Sequence, residues 1–183
     1  MTQQLEGKRV AILATHGFEE SELAVPRAKL QKQGIEVHVV APEAGSIRAW
    51  AESDWGDDYA VDRRLDDVSE HDYHALMLPG GLFNPDALRQ DEKALGFVQA
   101  FFQAGKPVGA ICHAPWVLIN AGGVDGRRMT SYPSVAQDLR NAGAEWVDEQ
   151  VVVDNGLVTS RKPDDLDAFG SKLVEEIAEG RHG

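Results

Sequence analysis

The sequence of 183 residues predicts a single α/β domain, residues 1–183, in which a mostly parallel sheet carries helices on both faces and an added antiparallel hairpin. Three observations lead to this fold class. Short apolar runs alternate with longer segments of helical period, which is typical of βαβ units. The runs are apolar throughout, as in strands buried on both faces. The length is about what one domain needs, since domains hold roughly 100 to 200 residues.

The strands of the parallel sheet are predicted at four apolar runs, which are Val10–Ala14, Val37–Ala41, Ala75–Leu78 and Val108–Ile111. Helices are predicted at five segments between and after them, which are Ser21–Gln33, Asp91–Gln103, Pro115–Asn120, Ser134–Asn141 and one that begins at Pro163. A glycine follows each of the first four and indicates a helix stop. In the first helix, Ala24, Ala28 and Leu30 are expected to form the buried face.

Two further segments complete the predicted sheet. Val147–Asp154 and Leu157–Ser160 are separated by Asn155-Gly156, which is the strongest hairpin signal in the chain. Ala44–Asp72 is acidic and weakly periodic, and it is expected to form short strands or hairpins on the sheet edge. Ligands in such folds bind at the carboxyl ends of the strands, so motifs at those ends are the candidates for function.

Composition excludes several classes of protein. With 18 basic and 30 acidic residues the net charge is −12, which repels phosphate backbones and anionic lipid, so neither nucleic acid nor a membrane is expected as a partner. The N-terminal apolar stretch is too short for a signal peptide or a membrane helix. A single cysteine forms no intramolecular disulfide and no four-thiolate zinc site, which favours a cytoplasmic location.

That cysteine, Cys112, follows a predicted buried strand and precedes a helix that begins at Pro115. The same sharp strand-to-helix turn exposes the nucleophilic serine of α/β hydrolases. A helix N-terminus and a protonated imidazole both favour thiolate over thiol. A free cysteine is more often a small buried apolar side chain, and His113 can equally be a helix N-terminal residue without a catalytic role. The nucleophile elbow nevertheless favours Cys112 as a nucleophile.

Two other strand ends carry polar or glycine-rich motifs. Gly80 and Gly81 follow a buried strand, where their N–H groups can hold an oxyanion, although Pro-Gly-Gly is more often only a turn. Asp86 follows in the same segment, after Pro85, and on its own indicates a helix cap.

After the first strand, Glu19 and Glu22 stand with Glu20 in the first helical turn, where carboxylates stabilise the helix dipole. One of them turned inward beside a thiolate would be driven towards its protonated form and could donate a hydrogen bond to sulfur.

Together these motifs resemble the ThiJ/PfpI superfamily, and most closely its branch of PfpI-type intracellular cysteine peptidases and general stress proteins. The resemblance extends from about residue 8 to residue 177. It rests on Phe18-Glu19-Glu20-Ser21-Glu22-Leu23 with Pro26, Leu78-Pro79-Gly80-Gly81, Gly105-Lys106-Pro107-Val108, Ile111-Cys112-His113-Ala114-Pro115, Thr130-Ser131-Tyr132-Pro133, Asn141 to Val147, and Ser160-Arg161 with Pro163 and Asp165.

The resemblance implies a flavodoxin-like three-layer sandwich and a nucleophilic Cys112. It also implies that Glu22 hydrogen-bonds the thiolate and that His113 is the imidazole partner. In the peptidase branch this histidine pairs with a carboxylate from a neighbouring subunit, and the matching residue is Asp86, where many members have Glu. A homo-oligomer, either a dimer or a hexamer, is therefore expected.

Three hypotheses for function follow. The first is a cysteine-dependent glyoxalase or protein deglycase without metal or cofactor, acting on small reactive aldehydes or on glycated proteins and peptides. Attack of the Cys112 thiolate on an aldehyde would form a hemithioacetal, and the N–H groups of Gly80 and Gly81 would hold its oxygen. Trp116, Tyr132 and Glu19 would line the pocket. The second is a cysteine peptidase with a Cys112-His113-Asp86 triad. The third is a redox-sensing stress protein or chaperone in which Cys112 is oxidised.

Overall fold

A computed structural model describes residues 5–182, within which the chain forms eleven strands and six α-helices. The strands, numbered β1 to β11, are Arg9–Leu13, Glu36–Ala41, Ser46–Ala51, Asp54–Ala60, Arg63–Arg64, Ala75–Leu78, Val108–Ile111, Arg128–Met129, Glu145–Trp146, Val151–Asp154 and Leu157–Ser160. The helices, α1 to α6, are Glu20–Lys32, Phe83–Leu88, Glu92–Gln103, Pro115–Ala121, Ala136–Asn141 and Leu166–Glu179. No helix in this range is both long enough and apolar enough to cross a bilayer.

Seven strands form the central sheet in the order β10-β11-β7-β6-β1-β2-β5. Every neighbouring pair is parallel except β10 and β11, which form the antiparallel hairpin at one edge. The predicted fold class, a flavodoxin-like sandwich with an added hairpin, is confirmed. Because β1, β6 and β7 are adjacent and parallel, the segments that follow them meet at one edge of the sheet.

The sheet buries both of its faces, which explains why its central strands are apolar at every position. In β1, Ala11 and Leu13 pack with α3, α4 and α5 on one side, while Val10 and Ile12 pack with α1 and α6 on the other. Alternate residues of a strand point to opposite faces, so a strand between two helical layers has no solvent-facing position. Burial on both faces of the sheet explains the unbroken apolar runs in the sequence.

The buried face of α1 differs from the predicted one. Leu23, Pro26 and Leu30 are buried together with Glu22, whereas Ala28 is exposed and Ala24 is only partly covered. The prediction was wrong for Ala24 and Ala28, because it was based on the spacing of apolar side chains alone, whereas Leu30 is buried as expected. Glu22, in the first turn of the helix, is buried together with Leu23. Pro26 was expected near the first turn and lies farther inside the helix.

The segment 44–72 is only partly at the edge of the sheet. β3 and β4 pair with each other as a separate antiparallel hairpin, and only the two residues of β5 join β2 at the edge. The strand β10 begins at Val151, four residues later than expected. Asn155 and Gly156 do form the turn of the β10–β11 hairpin, both with positive φ (48° and 84°). A parallel two-residue pairing of β8 with β9 was not predicted.

The helix α2 was missed by the sequence pattern. It spans Phe83–Leu88, and Asp86 lies inside it rather than capping it, since the N-cap position is Leu82. Six residues are too few to establish a 3.6-residue period, and Pro85 within them argued for a turn. Pro85 is tolerated because its missing N–H falls in the first turn, where no intrahelical bond is made.

Phe169 tests how much α6 contributes to the fold. Its side chain is fully buried between α6 and the sheet. Phe169→Ala is expected to lower the free energy of unfolding by about 3–5 kcal/mol, because it removes a large apolar group and leaves a cavity. Urea denaturation measures the change. Val25→Ala, at an exposed position of α1, is the control and should shift stability by no more than about 0.5 kcal/mol. Equal effects of the two substitutions would contradict this packing.

Candidate active site

The candidate site lies at the carboxyl ends of β1, β6 and β7. Glu19 and Glu22 follow β1 at the start of α1, Gly80 and Gly81 follow β6, and Cys112 follows β7. These segments are distant in sequence, but their strands are neighbours in the sheet. The fold therefore brings together the three motifs that the sequence singled out.

Cys112 occupies a strained turn between β7 and α4. Its φ is +64°, in the left-handed region that non-glycine residues rarely adopt, and such a residue costs of order 1–3 kcal/mol. Two backbone hydrogen bonds hold the turn: the Cys112 N–H donates to the Ser160 carbonyl (3.1 Å), and its carbonyl accepts from the Tyr132 N–H (2.9 Å). The side chain is 6% exposed. The strained turn thus places the sulfur beside His113 and Glu22.

Glu22 is buried directly beside Cys112. None of its surface is exposed, and its Oε1 accepts a hydrogen bond from the Gly80 N–H at 2.9 Å. Its Oε2 is buried and has no hydrogen-bond partner among residues 5–182. A Cβ on Gly80 would lie 2.6 Å from Glu22 Oε1 and 2.7 Å from the Cys112 Cβ, so only glycine fits between them. The close approach of three chain segments therefore depends on Gly80.

Burial controls the protonation of Glu22. Desolvation raises the pKa of its carboxyl from 4.5 to about 8, and the nearby Glu19 adds to the increase, against the opposing effect of the Gly80 hydrogen bond. Glu22 is therefore mostly protonated at pH 7. A protonated carboxyl has one O–H to donate, and the unpartnered Oε2 is the oxygen available to carry it. The neighbouring Cys112 sulfur is the acceptor available for this O–H group.

Neighbouring groups and burial act in opposite directions on the pKa of the Cys112 thiol. Burial raises the pKa of the thiol, and a negative charge on Glu22 would raise it further, whereas the N–H groups of Gly81 and His113 lower it. A proton on Glu22 removes the charge repulsion and supplies a hydrogen bond to a thiolate. The ionisation of Cys112 is therefore coupled to the protonation of Glu22, while burial keeps the pKa of the thiol raised overall.

The imidazole of His113 contacts Cys112 within the same chain. Nδ1 lies 3.1 Å from the sulfur, and Nε2 lies 3.3 Å from the hydroxyl oxygen of Ser134. The ring stacks on Tyr132 with centroids 4.6 Å apart. It meets the Trp116 ring edge-to-face, with centroids 5.1 Å apart. Burial lowers the pKa of His113, so the ring is neutral near pH 7 and can accept or donate a proton at sulfur. Tyr132 and Trp116 thus hold the imidazole in place.

The two glycines after β6 face different partners. The Gly80 N–H, which was expected to hold an oxyanion, already donates to Glu22. The Gly81 N–H lowers the pKa of the Cys112 thiol and stays a predicted oxyanion donor. The His113 N–H, which was not predicted, has the same effect on the thiol. Asn84, which the sequence did not single out, is buried and donates to the carbonyls of Pro79 and Gly80 at 3.0 and 3.1 Å. It fixes the loop that presents these N–H groups.

The remaining predicted site residues are Glu19 and Asp86. Glu19 is partly buried and accepts a hydrogen bond from the Glu52 N–H at 3.2 Å, and burial raises the pKa of its carboxyl. Asp86 is exposed on α2, and within one chain its carboxylate is not a partner of His113. Among the described residues, no three-ligand metal cluster includes Cys112, His113 or Glu22.

Ser134, whose hydroxyl contacts His113, is the second residue beside the site, after Asn84, that the sequence pattern did not single out. It was placed at the start of a helix, and it in fact lies in a 3₁₀ turn, Pro133–Val135, before α5. A serine after Tyr-Pro gives no signal for its direction, because the contact with His113 depends on how two separate segments fold against each other.

The chain is similar in sequence to known proteins. Residues 8–176 match the sequence profile of the DJ-1/PfpI family. The chain is 44% identical over 169 residues to general stress protein 18 of Bacillus subtilis, covering 92% of this chain and 96% of that protein. It is 42% identical over 168 residues to protein/nucleic acid deglycase 2 of Escherichia coli, covering 91% and 96%.

The fold is shared as well. DJ-1beta of Drosophila melanogaster, known from a crystal structure, has a TM-score of 0.86 and 30% identity to this chain, covering 93% of it and 90% of the fly protein. The resemblance to the ThiJ/PfpI superfamily is thus confirmed by sequence and by fold. This chain belongs to the DJ-1/PfpI family.

Proposed function

We propose that this chain is a stress-response enzyme of the glyoxalase or protein deglycase type, which uses Cys112 as a nucleophile on reactive carbonyls without a cofactor. One observation carries the proposal: a cysteine on a strained turn lies beside a fully buried carboxyl, and burial raises the pKa of that carboxyl to about 8. Relatives named as a deglycase and as a general stress protein, each more than 40% identical over most of the chain, support it. The substrates are small reactive aldehydes, or the adducts that they leave on proteins.

The chemistry begins at the sulfur. The Cys112 thiolate adds to the aldehyde carbon of methylglyoxal and forms a hemithioacetal. In a glycated amine the same carbon carries nitrogen; there the S–C bond forms, the C–N bond breaks, and the amine leaves with a proton from Glu22 or His113. The N–H groups of Gly81 and His113 stabilise negative charge on the substrate oxygen.

Proton transfers complete the reaction. His113, as the neutral base, takes the proton from the former aldehyde carbon, and His113 or Glu22 delivers one to the neighbouring carbon, which gives a thioester of lactate on Cys112. Water then cleaves the thioester, releases lactate and restores the thiol. The net change is the addition of one water to methylglyoxal. An internal redox rearrangement of this kind requires no external oxidant.

Lactate formation from methylglyoxal tests the role of the pair. Cys112→Ser is expected to reduce the rate to that of the uncatalysed reaction, because the weaker hydroxyl nucleophile replaces the thiolate. Glu22→Gln should reduce kcat/KM about 10²-fold through loss of the proton donor. Glu20→Gln is the matched control on the same helical turn, since its carboxylate accepts from the Asp57 N–H instead. Unchanged lactate formation by the Cys112→Ser protein would reject the proposal.

The protonated state of Glu22 also predicts a pH dependence of stability. The folded carboxyl holds its proton up to pH about 8, whereas an ordinary one releases it near 4.5. The folded state therefore binds more protons between these values, and its stability falls as pH rises, by about 1.4 kcal/mol per unit. Denaturation of wild type and Glu22→Gln at several pH values measures this slope. The Gln variant should lack it, and equal slopes would contradict a protonated Glu22.

A cysteine peptidase is the second candidate, favoured by the 3.1 Å contact between Cys112 and His113. Its triad requires Asp86 from another subunit. Three exposed apolar residues near the site support a subunit interface: Leu82 (54% exposed), Phe83 (50%) and Trp55 (41%). The rings of Phe83 and Trp55 stack at 6.0 Å, and a patch of this kind is typical of an interaction surface. We propose that a second copy of the chain covers this patch.

Asp86→Asn separates the two enzyme activities. Peptide hydrolysis should fall about 10²-fold or more if the triad forms, because an amide cannot stabilise the imidazolium as a carboxylate does. Lactate formation should continue at a comparable rate. Light scattering on the same samples gives the oligomeric state, which is expected to be a dimer or a hexamer. A monomer, or peptide hydrolysis that is insensitive to Asp86, would exclude the triad.

A further inference from the structure

A second cluster of titratable side chains lies at the C-terminal end of α6, apart from the Cys112 site. Glu176 and Glu179 stand one turn apart on the helix, and His182 follows it. The Nε2 of His182 lies 3.2 Å from Glu176 Oε1 and 3.8 Å from Glu179 Oε2. One donor atom from each residue lies within 4.8 Å of the others. Within residues 5–182 this is the only group of three such ligands.

One polar atom of this cluster lacks an ordinary partner. The Glu176 side chain is 9% exposed, and its carboxylate lies against the other two members of the cluster, Glu179 and His182. The Nε2 of His182 is buried and has no hydrogen-bond partner within residues 5–182. The 3.2 Å approach of Nε2 to Glu176 is therefore a contact without hydrogen-bond geometry. Buried polar atoms without partners are rare, and an ion is one of their ordinary explanations.

The spacing fits two ligands of one metal ion. Tetrahedral ligands that bind zinc at roughly 2.0 to 2.1 Å stand about 3.3 Å from each other. The 3.2 Å between His182 Nε2 and Glu176 Oε1 matches this value. The 3.8 Å to Glu179 needs only a small movement of an exposed side chain. Three protein ligands leave the fourth position to water.

The main chain at His182 is held in position before any ion binds. The backbone N–H of His182 donates to the Gly105 carbonyl at 2.6 Å, and the imidazole ring lies against Gly156. A Cβ on Gly105 would collide with the backbone carbonyl of His182, so the chain end lies close against that loop. An ordered ligand loses less entropy on binding than a mobile one.

The local charge also favours a cation. Two carboxylates, those of Glu176 and Glu179, converge on the single imidazole of His182. Lys106 and Arg127 line the cavity on the other side of His182, but Lys106 is bound by Glu70 at 2.8 Å and Arg127 donates to the Asp154 carbonyl. The net charge of −12 adds a general attraction for cations.

We propose that Glu176, Glu179 and His182 form a binding site for one divalent transition-metal ion, for which zinc is the probe. An imidazole with two carboxylates suits zinc and its neighbours in the first row better than magnesium or calcium, which prefer oxygen ligands alone. The ion would join the chain end to the last turn of α6. The site is independent of the reaction at Cys112.

Calorimetric titration with zinc chloride tests the site. The full-length Cys112→Ser protein serves as the background, because the thiol and His113 could bind zinc themselves. One zinc per chain is expected, with an affinity at least tenfold weaker after His182→Gln or Glu176→Gln. Glu175→Gln is the matched control, since that exposed carboxylate on the same turn pairs with Lys172 instead. Magnesium chloride should bind at least 100-fold more weakly.

The outcomes are distinct. Stoichiometric zinc binding that the His182 and Glu176 substitutions weaken, and that Glu175→Gln leaves unchanged, supports the site. Circular dichroism of each variant establishes that it is folded before titration. The absence of a zinc site in the Cys112→Ser protein would overturn the proposal, as would equal affinity in the Glu175→Gln and His182→Gln variants. Lactate formation does not enter this test, so its result stands apart from the proposed activity.

Discussion

The site depends on a carboxylic acid that the fold buries beneath a cysteine. Glu22 has no exposed surface, and its single backbone hydrogen bond from Gly80 is too little to keep a charge stable in that environment. The group therefore holds a proton at neutral pH. That proton makes Glu22 a hydrogen-bond donor and removes a negative charge from beside the sulfur. In the proposed mechanism, this buried glutamate supports the Cys112 thiolate in a molecule whose overall charge opposes one.

The topology of the sheet makes this arrangement possible. Glu22, Gly80 and Cys112 belong to segments that follow three neighbouring parallel strands, so the strands bring together residues far apart in sequence. The strained backbone of Cys112 is held by hydrogen bonds to Ser160 and Tyr132, which come from two further segments. The surrounding structure compensates for the strain, because rigid elements on several sides fix the turn. His113 and its aromatic neighbours complete the site on the side of α4 and the Tyr132 segment.

Much of the fold could be predicted from the sequence because fully buried strands and glycine helix stops give local signals. The elbow at Cys112 was visible for the same reason, since an apolar run leads directly to Pro115. The buried face of α1 was predicted only in part, because the spacing of its apolar side chains placed Ala24 and Ala28 there, and the inward position of Glu22 was expected from the family resemblance alone. The role of Gly80 could not be separated from that of Gly81, since the hydrogen bond to Glu22 spans 58 positions. Ser134 and Asn84 gave no signal, because their contacts depend on tertiary packing alone.

The central claim, that Glu22 carries a proton at neutral pH, can be observed directly. Isotope-edited infrared spectroscopy of the folded protein at pH 7 distinguishes the carbonyl stretch of a protonated carboxyl from the stretches of a carboxylate. A buried, protonated carboxyl band that is present in the wild type and absent from the Glu22→Gln protein is the predicted result. A wild-type spectrum in which Glu22 contributes only carboxylate bands would contradict the account.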